Sequence, residues 1–265
     1  SFSFTIISCA KKSGGSSGSS SSDTNGSGGG SSYSSSCNNS KAFIVGNAVT
    51  EKGCHPNCPK LKTVIWNLDK CMTVVGDSSY VVDATEYNGS IYIADDGGYY
   101  WIVGNSISKQ PLNYSGYKLS EVTGIDVNSN GDVYVAGLVC KNNCKEKNLY
   151  NAYWKNGELV KAFRENGLSK DGTTYSELHV AADSKGKVFI PGWRIDLHHY
   201  VDAAIWINGN IKILANNADS EATDAVVGSE TASGSNVWIS GAHGSSTLSL
   251  AGYWRRKPNG TINQV

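Results

Sequence analysis

Five times along this chain a short, alternating apolar strand is followed by a loop and then by a second strand centred on tryptophan. The pairs are FIVG (43–46) with VIWNLD (64–69), IYIAD (91–95) with YYWIVGN (99–105), VYVAG (133–137) with AYWKNG (152–157), VFIPG (188–192) with AIWINGN (204–210), and VWISG (237–241) with GYWRRKPNG (252–260). Trp66, Trp101, Trp154, Trp206 and Trp254 therefore hold one equivalent position. A unit of roughly 40–55 residues with about four short strands is the spacing of propeller blades, not of helical repeats. No long stretch carries a helical period. The chain is predicted to be all-β, a β-propeller of four-stranded antiparallel blades over 37–265, five blades being the first choice.

Turn chemistry divides each unit in the same way. Around the clearest copy, VTGIDVN (122–128) runs into the turn at Asn130-Gly131, then VYVAG, then AYWKNG with Asn156-Gly157, then ELVKAF (158–163). Asn and Gly tolerate the positive φ of a tight hairpin, and Asn88-Gly89, Lys185-Gly186, Asn208-Gly209 and Asn259-Gly260 repeat the signal. Lysine and arginine balance aspartate and glutamate at zero formal net charge with no basic block, which argues against a nucleic-acid partner.

The first residues read as an address. SFSFTIIS (1–8) is an apolar stub, and Ile6, Ile7, Ser8 and Cys9 resemble the lipobox of bacterial lipoproteins. The resemblance implies a signal-peptide remnant over 1–8, lipidation of Cys9, and a membrane partner reached through that lipid. Ala10 after the cysteine favours the outer membrane or cell surface. From Ser13 to Ser36 the chain is nearly all Ser and Gly, a composition that cannot offset its ordering entropy by burial. Residues 9–36 are thus expected to be a flexible tether of roughly 25–30 Å.

Seven cysteines leave six to pair once Cys9 is set aside. Spacing pairs Cys54 with Cys58 in CHPNC and Cys140 with Cys144 in CKNNC, and Cys37 and Cys71 remain to tie the start of the domain to its first blade. A metal site built on His55 and the Cys-x-x-x-Cys pairs is the rival, but the gap is not that of zinc ligands and no His-rich half follows. No metal and no cofactor is expected. Disulfides place the domain in an oxidising compartment.

The stretch VTGIDVNSNGDVYVAG (122–137) resembles the inner-strand hairpin of bacterial propeller repeats of the NHL type and of the seven-bladed-propeller family. That resemblance implies architecture, not activity. If strands run from the axis outward, the Asn-Gly hairpins share one face and all the varied loops share the other, where binding is expected. On that face Ser120-Glu121, Ser176-Glu177 and Ser220-Glu221 each enter an inner strand, so Glu121, Glu177 and Glu221 are candidate ligand groups around one channel mouth. Polar turn chemistry, in which Ser and Glu satisfy backbone donors where the chain turns inward, is the simpler account of the recurrence. Tyr114, Tyr117, Tyr175 and Trp193 are candidate aromatic contacts, Trp193 because it lies outside the repeated Trp position.

Asp83, Asp126 and Asp224 occupy inner strands, as acids do in five-bladed glycosidases, but alignment on the turn glycines does not put them at one depth. There is no Gly-x-Ser-x-Gly elbow, His-Glu-x-x-His or phosphate loop. The expectation is therefore a non-enzymatic surface lipoprotein whose loop-rich face binds or displays a protein or glycan ligand. A five-bladed lectin and a self-assembling structural or filament subunit are the alternatives, and a glycoside hydrolase ranks last.

Overall fold

The computed structural model describes residues 43–49, 61–67, 72–77, 81–95, 97–103, 106–142, 144, 148–164, 174–175, 179–195, 200–215, 220–245 and 248–265. The chain divides into two compact units, 1–78 and 79–265. In the first, β1 (Phe43–Val49), β2 (Leu61–Asn67) and β3 (Met72–Asp77) form an antiparallel sheet with β2 central. Val45, Val64 and Ile65 are its buried apolar side chains among those described. Trp66 lies on β2, as the repeat requires.

The second unit holds four antiparallel sheets arranged as a β-propeller. The first sheet is β4 (Asp83–Tyr87), β5 (Ser90–Asp95), β6 (Gly98–Val103) and β7 (Ser106–Pro111). The second is β8 (Lys118–Val127), β9 (Val133–Cys140), β10 (Leu149–Lys155) and β11 (Glu158–Phe163). In the third, β12 (Thr174–Tyr175) and β13 (Ala181–Ala182) both pair with β14 (Val188–Ile195), which is followed by β15 (Val201–Ile207) and β16 (Asn210–Ile213). The fourth is β17 (Glu221–Thr231), β18 (Gly234–Ser245), β19 (Leu248–Arg256) and β20 (Ile262–Gln264). The predicted order of strands within a blade is the observed order.

Period-two alternation explains the core. Trp154, Trp206 and Trp254, each on the third strand of its sheet, are fully buried and face the preceding sheet. Trp154 packs with Ala94, Tyr99 and Leu112, whereas its neighbour Tyr153 points the other way, among Val180, Ala182 and Trp206. Three such interfaces join the four sheets, so removing one tryptophan would open a joint between blades.

The first strands β4, β8, β13 and β17 touch in succession and form the inner edge. Aspartates stitch them together. Asp83 Oδ2 accepts from the Ile125 N–H at 2.9 Å, and Asp126 Oδ2 accepts from the Ala182 N–H at 2.9 Å, so one blade's carboxylate satisfies a backbone donor of the next. At the opposite end, Asn88, Asn156 and Asn208 have positive φ, as predicted for tight hairpins. Asn156 Oδ1 and Asn208 Oδ1 also accept from the Val133 and Val188 N–H groups, a second reason for asparagine there. With hairpins at that end, strand starts on the inner edge and the loops between second and third strands share the other.

Candidate functional site

The inner strand of the third sheet is interrupted. Ala181 pairs with Phe189 and Tyr175 with Trp193, but the two registers are offset, so the strand carries extra residues between them. Pro191 supplies a reason. Val188 turns its carbonyl toward Asn208 on the β15 side, and alternate residues of an antiparallel strand bond to alternate sides, so Pro191 faces its missing N–H toward the inner strand. A continuous inner strand would lack a donor there. His179 lies at this interruption, two residues before β13.

A second irregularity positions Asp224. The β17–β18 register shifts between Ala222 and Asp224, a bulge of the kind that re-aims a side chain at a functional edge. Asp83 is the first residue of β4. Three separate sheets thus deliver one cluster: His179 Nδ1 lies 3.2 Å from Asp83 Oδ2 and 3.9 Å from Asp224 Oδ1. All three come from the beginnings of inner strands, on the end of the propeller away from the Asn-Gly hairpins.

The environments of the two carboxylates differ. The Asp83 side chain is 3% exposed and accepts from the Ala84 N–H at 2.7 Å, the Ile125 N–H and the His179 Nδ1–H. Both of its oxygens are engaged. Asp224 is 53% exposed at its side chain and, among the described residues, accepts from the Ala225 N–H alone, at 2.7 Å, besides its longer ion pair with His179. Desolvation pushes Asp224 above the usual carboxylate range and Asp83 adds to it, against the opposing pull of His179 and the Ala225 N–H. For His179, burial works against the charge, but the hydrogen bond to Asp83 and the charges of Asp83 and Asp224 outweigh it, raising the imidazole to about 9. The ring is an imidazolium at neutral pH, with Nδ1–H held by Asp83 and Nε2–H without an acceptor among the described residues.

Glu121 and Glu221 occupy matching positions: each precedes a residue paired with a glycine of the second strand, Val122 with Gly137 and Ala222 with Gly241. Their carboxylates make no ion pair among the described residues. Glu177 lies outside the described residues, as do Cys9, Cys37, Cys54, Cys58 and Cys71. Among the described residues no three His, Cys, Asp or Glu side chains converge as metal ligands. Cys140 and Cys144 form a disulfide. Tyr114 is exposed and opens a turn whose carbonyl accepts from the Tyr117 N–H. The Tyr117 ring meets Tyr150 edge-on at 5.7 Å. Trp193 is half-buried on β14, and Tyr175 pairs with it from β12.

Sequence reasoning missed His179. Asp183 Oδ1 accepts from the Lys185 and Lys187 N–H groups as Asn128 Oδ1 accepts from those of Asn130 and Asp132, which aligns the two turns and sets His179 against Gly124. A histidine replacing a repeat glycine, in the unit that also replaces Ala136 with Pro191, was the available signal.

No family model matches the chain. No curated protein matches it either. Among solved structures, a polysaccharide lyase, an ulvan lyase bound to -[GlcA(1-4)Rha3S]-, is similar with a TM-score of 0.50 at 10% identity over 84% of this chain. This chain spans 66% of that protein. An endo-arabinase from Bacteroides thetaiotaomicron has a TM-score of 0.38 at 10% identity, covering 84% of this chain and 88% of the other. A gluconolactonase from Xanthomonas campestris has a TM-score of 0.27 at 10% identity, covering 68% and 75%. At 10% identity the likeness to the ulvan lyase shows the propeller fold alone.

The expectation of a non-enzymatic binding or display module is corrected by the ulvan lyase, since the propeller this chain is similar to at a TM-score of 0.50 is an enzyme. The cluster of His179, Asp83 and Asp224 escapes a reading of the sequence because it is assembled from three sheets and leaves no contiguous motif.

Proposed function

We propose that this protein is a polysaccharide-cleaving enzyme whose proton transfers are carried by His179 and Asp224. The observation that carries the reading is the placing of His179 between a buried, hydrogen-bonded Asp83 and a half-exposed Asp224 with a raised pKa. Buried carboxylate, oriented imidazole and a second titratable group form the constellation expected of acid–base chemistry.

Elimination fits better than hydrolysis. A glycosidase needs two available carboxyl groups flanking the bond. Here Asp83 spends its oxygens on two backbone donors and His179, and Asp126 holds the Ala182 N–H. Of the two carboxylates in the His179 cluster, Asp224 is the one with an oxygen free of such stitches among the described residues. Elimination at a uronic acid, whose carboxyl group acidifies the adjacent C–H, needs instead one base and one proton donor. Asp224, deprotonated, takes that proton as the C–O bond to the leaving sugar breaks, and His179 Nε2–H returns a proton to the departing oxygen. That a propeller of this kind houses an ulvan lyase supports the reading at the level of fold.

The test is incubation with a panel of uronate-containing and neutral polysaccharides, followed by ultraviolet absorbance and mass analysis of the products. Unsaturated non-reducing ends are expected from the uronate polymers. Saturated products would place the reaction with hydrolysis, and no cleavage of any polymer would remove the enzyme reading.

We also propose, from Ile6–Cys9 and the Cys140–Cys144 disulfide, that the enzyme is held at an outer surface by a lipid on Cys9.

A further inference from the structure

A second group of side chains stands at the same end of the propeller, on the sheet between those that supply Asp83 and His179. Lys141 directly follows Cys140, the last residue of β9, and its ammonium lies 5.7 Å from the ring centres of both Tyr117 and Tyr150. The two rings meet edge-on. Three separate segments meet here: the Tyr114–Tyr117 turn before β8, the disulfide loop after β9, and the start of β10. Tyr117 and Tyr150 pack by their inner edges on the core cluster that contains Val139, so the rings are anchored. Register places Leu119, Val139 and Tyr150 across one face of the sheet, the face toward β4–β7.

Lys141 is exposed and has no carboxylate partner among the described residues. An ammonium beside two aromatic rings, next to a disulfide and with no carboxylate partner among the described residues, is a receptor for an anion that also offers an apolar face. Sugars do this when they carry a carboxylate or sulfate: the C–H face rests on tyrosine and the anion meets the lysine. We infer that Lys141, Tyr117 and Tyr150 form a binding subsite for an acidic sugar residue, separate from the His179 cluster. The inference rests on the polysaccharide reading for its ligand class. Tyr117 was expected as an aromatic contact, but Lys141 and Tyr150 emerge only from the fold.

The test is affinity electrophoresis of the full chain through gels containing polygalacturonate, carrageenan or neutral dextran, with Lys141→Gln, Lys118→Gln and His179→Gln beside the unsubstituted protein. Lys118 lies opposite Cys140 and is an exposed lysine one residue from Tyr117, so it controls for unspecific charge. Retardation is expected in the acidic gels and absent in dextran, with the polyuronate and sulfated arms telling which anion is preferred. K141Q should weaken it by about tenfold, the loss of roughly one charge-assisted hydrogen bond, while K118Q binds normally and H179Q, though it loses the cation of the other cluster, remains retarded through Lys141. A melting curve shows that K141Q is folded. Equal retardation of K141Q and the unsubstituted protein, equal losses in K141Q and K118Q, or no retardation in either acidic gel would overturn the subsite. Retardation lost in K141Q with no polymer cleaved would instead leave the subsite standing and remove the catalytic reading.

Discussion

Replacing Asp83 by Asn separates the two tasks of that carboxylate. Asp83 satisfies the Ala84 and Ile125 N–H groups and also holds the proton on His179 Nδ1. Asparagine keeps one acceptor oxygen. If it keeps the Ile125 bond, its NH2 group opposes the Ala84 N–H, and one buried donor goes unsatisfied at a cost of about 1–3 kcal/mol. For a unit of this size that is about 2–4 °C in Tm for each kcal/mol. The charge effect is larger and of known sign. With Asp83 present His179 titrates at about 9, above its ordinary 6.5, so the stability it contributes is full below 6.5 and is lost as pH rises through about 9. With Asp83 neutral, burial still disfavours the imidazolium and only the longer Asp224 interaction supports it. The His179 midpoint should therefore drop from about 9 to near or below 6.5. Imidazole 15N–1H NMR through a pH titration reads the midpoint directly. Asp126→Asn is the control, since it loses a comparable stitch to Ala182 and should cost similar stability with the midpoint unmoved. A midpoint near 6.5 in the unsubstituted protein, or one unchanged by Asp83→Asn, would refute the electrostatic reasoning.

Three further outcomes follow from other parts of the structure. Gly241→Ala would drive its Cβ into the backbone carbonyl of Glu221, which cannot move without breaking the β17–β18 ladder, so a loss of about 1–3 kcal/mol or more is expected in a denaturant titration. Cys144→Ser opens a short loop and should cost less than the roughly 3 kcal/mol of a 15-residue loop, with the Tm nearly kept and proteolysis increased near Lys141. Cys9→Ser should move the protein from the membrane to the soluble fraction while its melting curve stays the same; retention in the membrane would dismiss the lipid anchor.

Much of the architecture was legible because it obeys local rules that repeat. Alternation around Trp154 and Trp206 set strand faces, and asparagine with glycine at 88–89, 156–157 and 208–209 set hairpins, because φ limits act on one or two residues at a time. Gly137 and Gly241 recur in the repeat for a reason seen only in three dimensions: bulges press the carbonyls of Glu121 and Glu221 against them. The Cys140–Cys144 disulfide could be read from its spacing. His179, Asp83 and Asp224 could not be read together, since they are far apart in the chain and meet through offsets at Pro191 and Ala222 that shift register without changing composition. Asp83 and Asp126 were considered as acids, and their use as inter-blade acceptors depends on neighbours that alignment does not show.

The most direct test of the catalytic account is the rate at which His179→Gln cleaves the uronate polymer best degraded by the unsubstituted protein, measured beside melting curves of both. Glutamine keeps a donor near Asp83 but cannot carry a titrating proton. The account predicts intact folding, with the appearance of unsaturated ends falling by about 10²–10⁴-fold, the usual contribution of a positioned acid–base group. Unsaturated ends appearing at the same rate in a folded His179→Gln protein would contradict it.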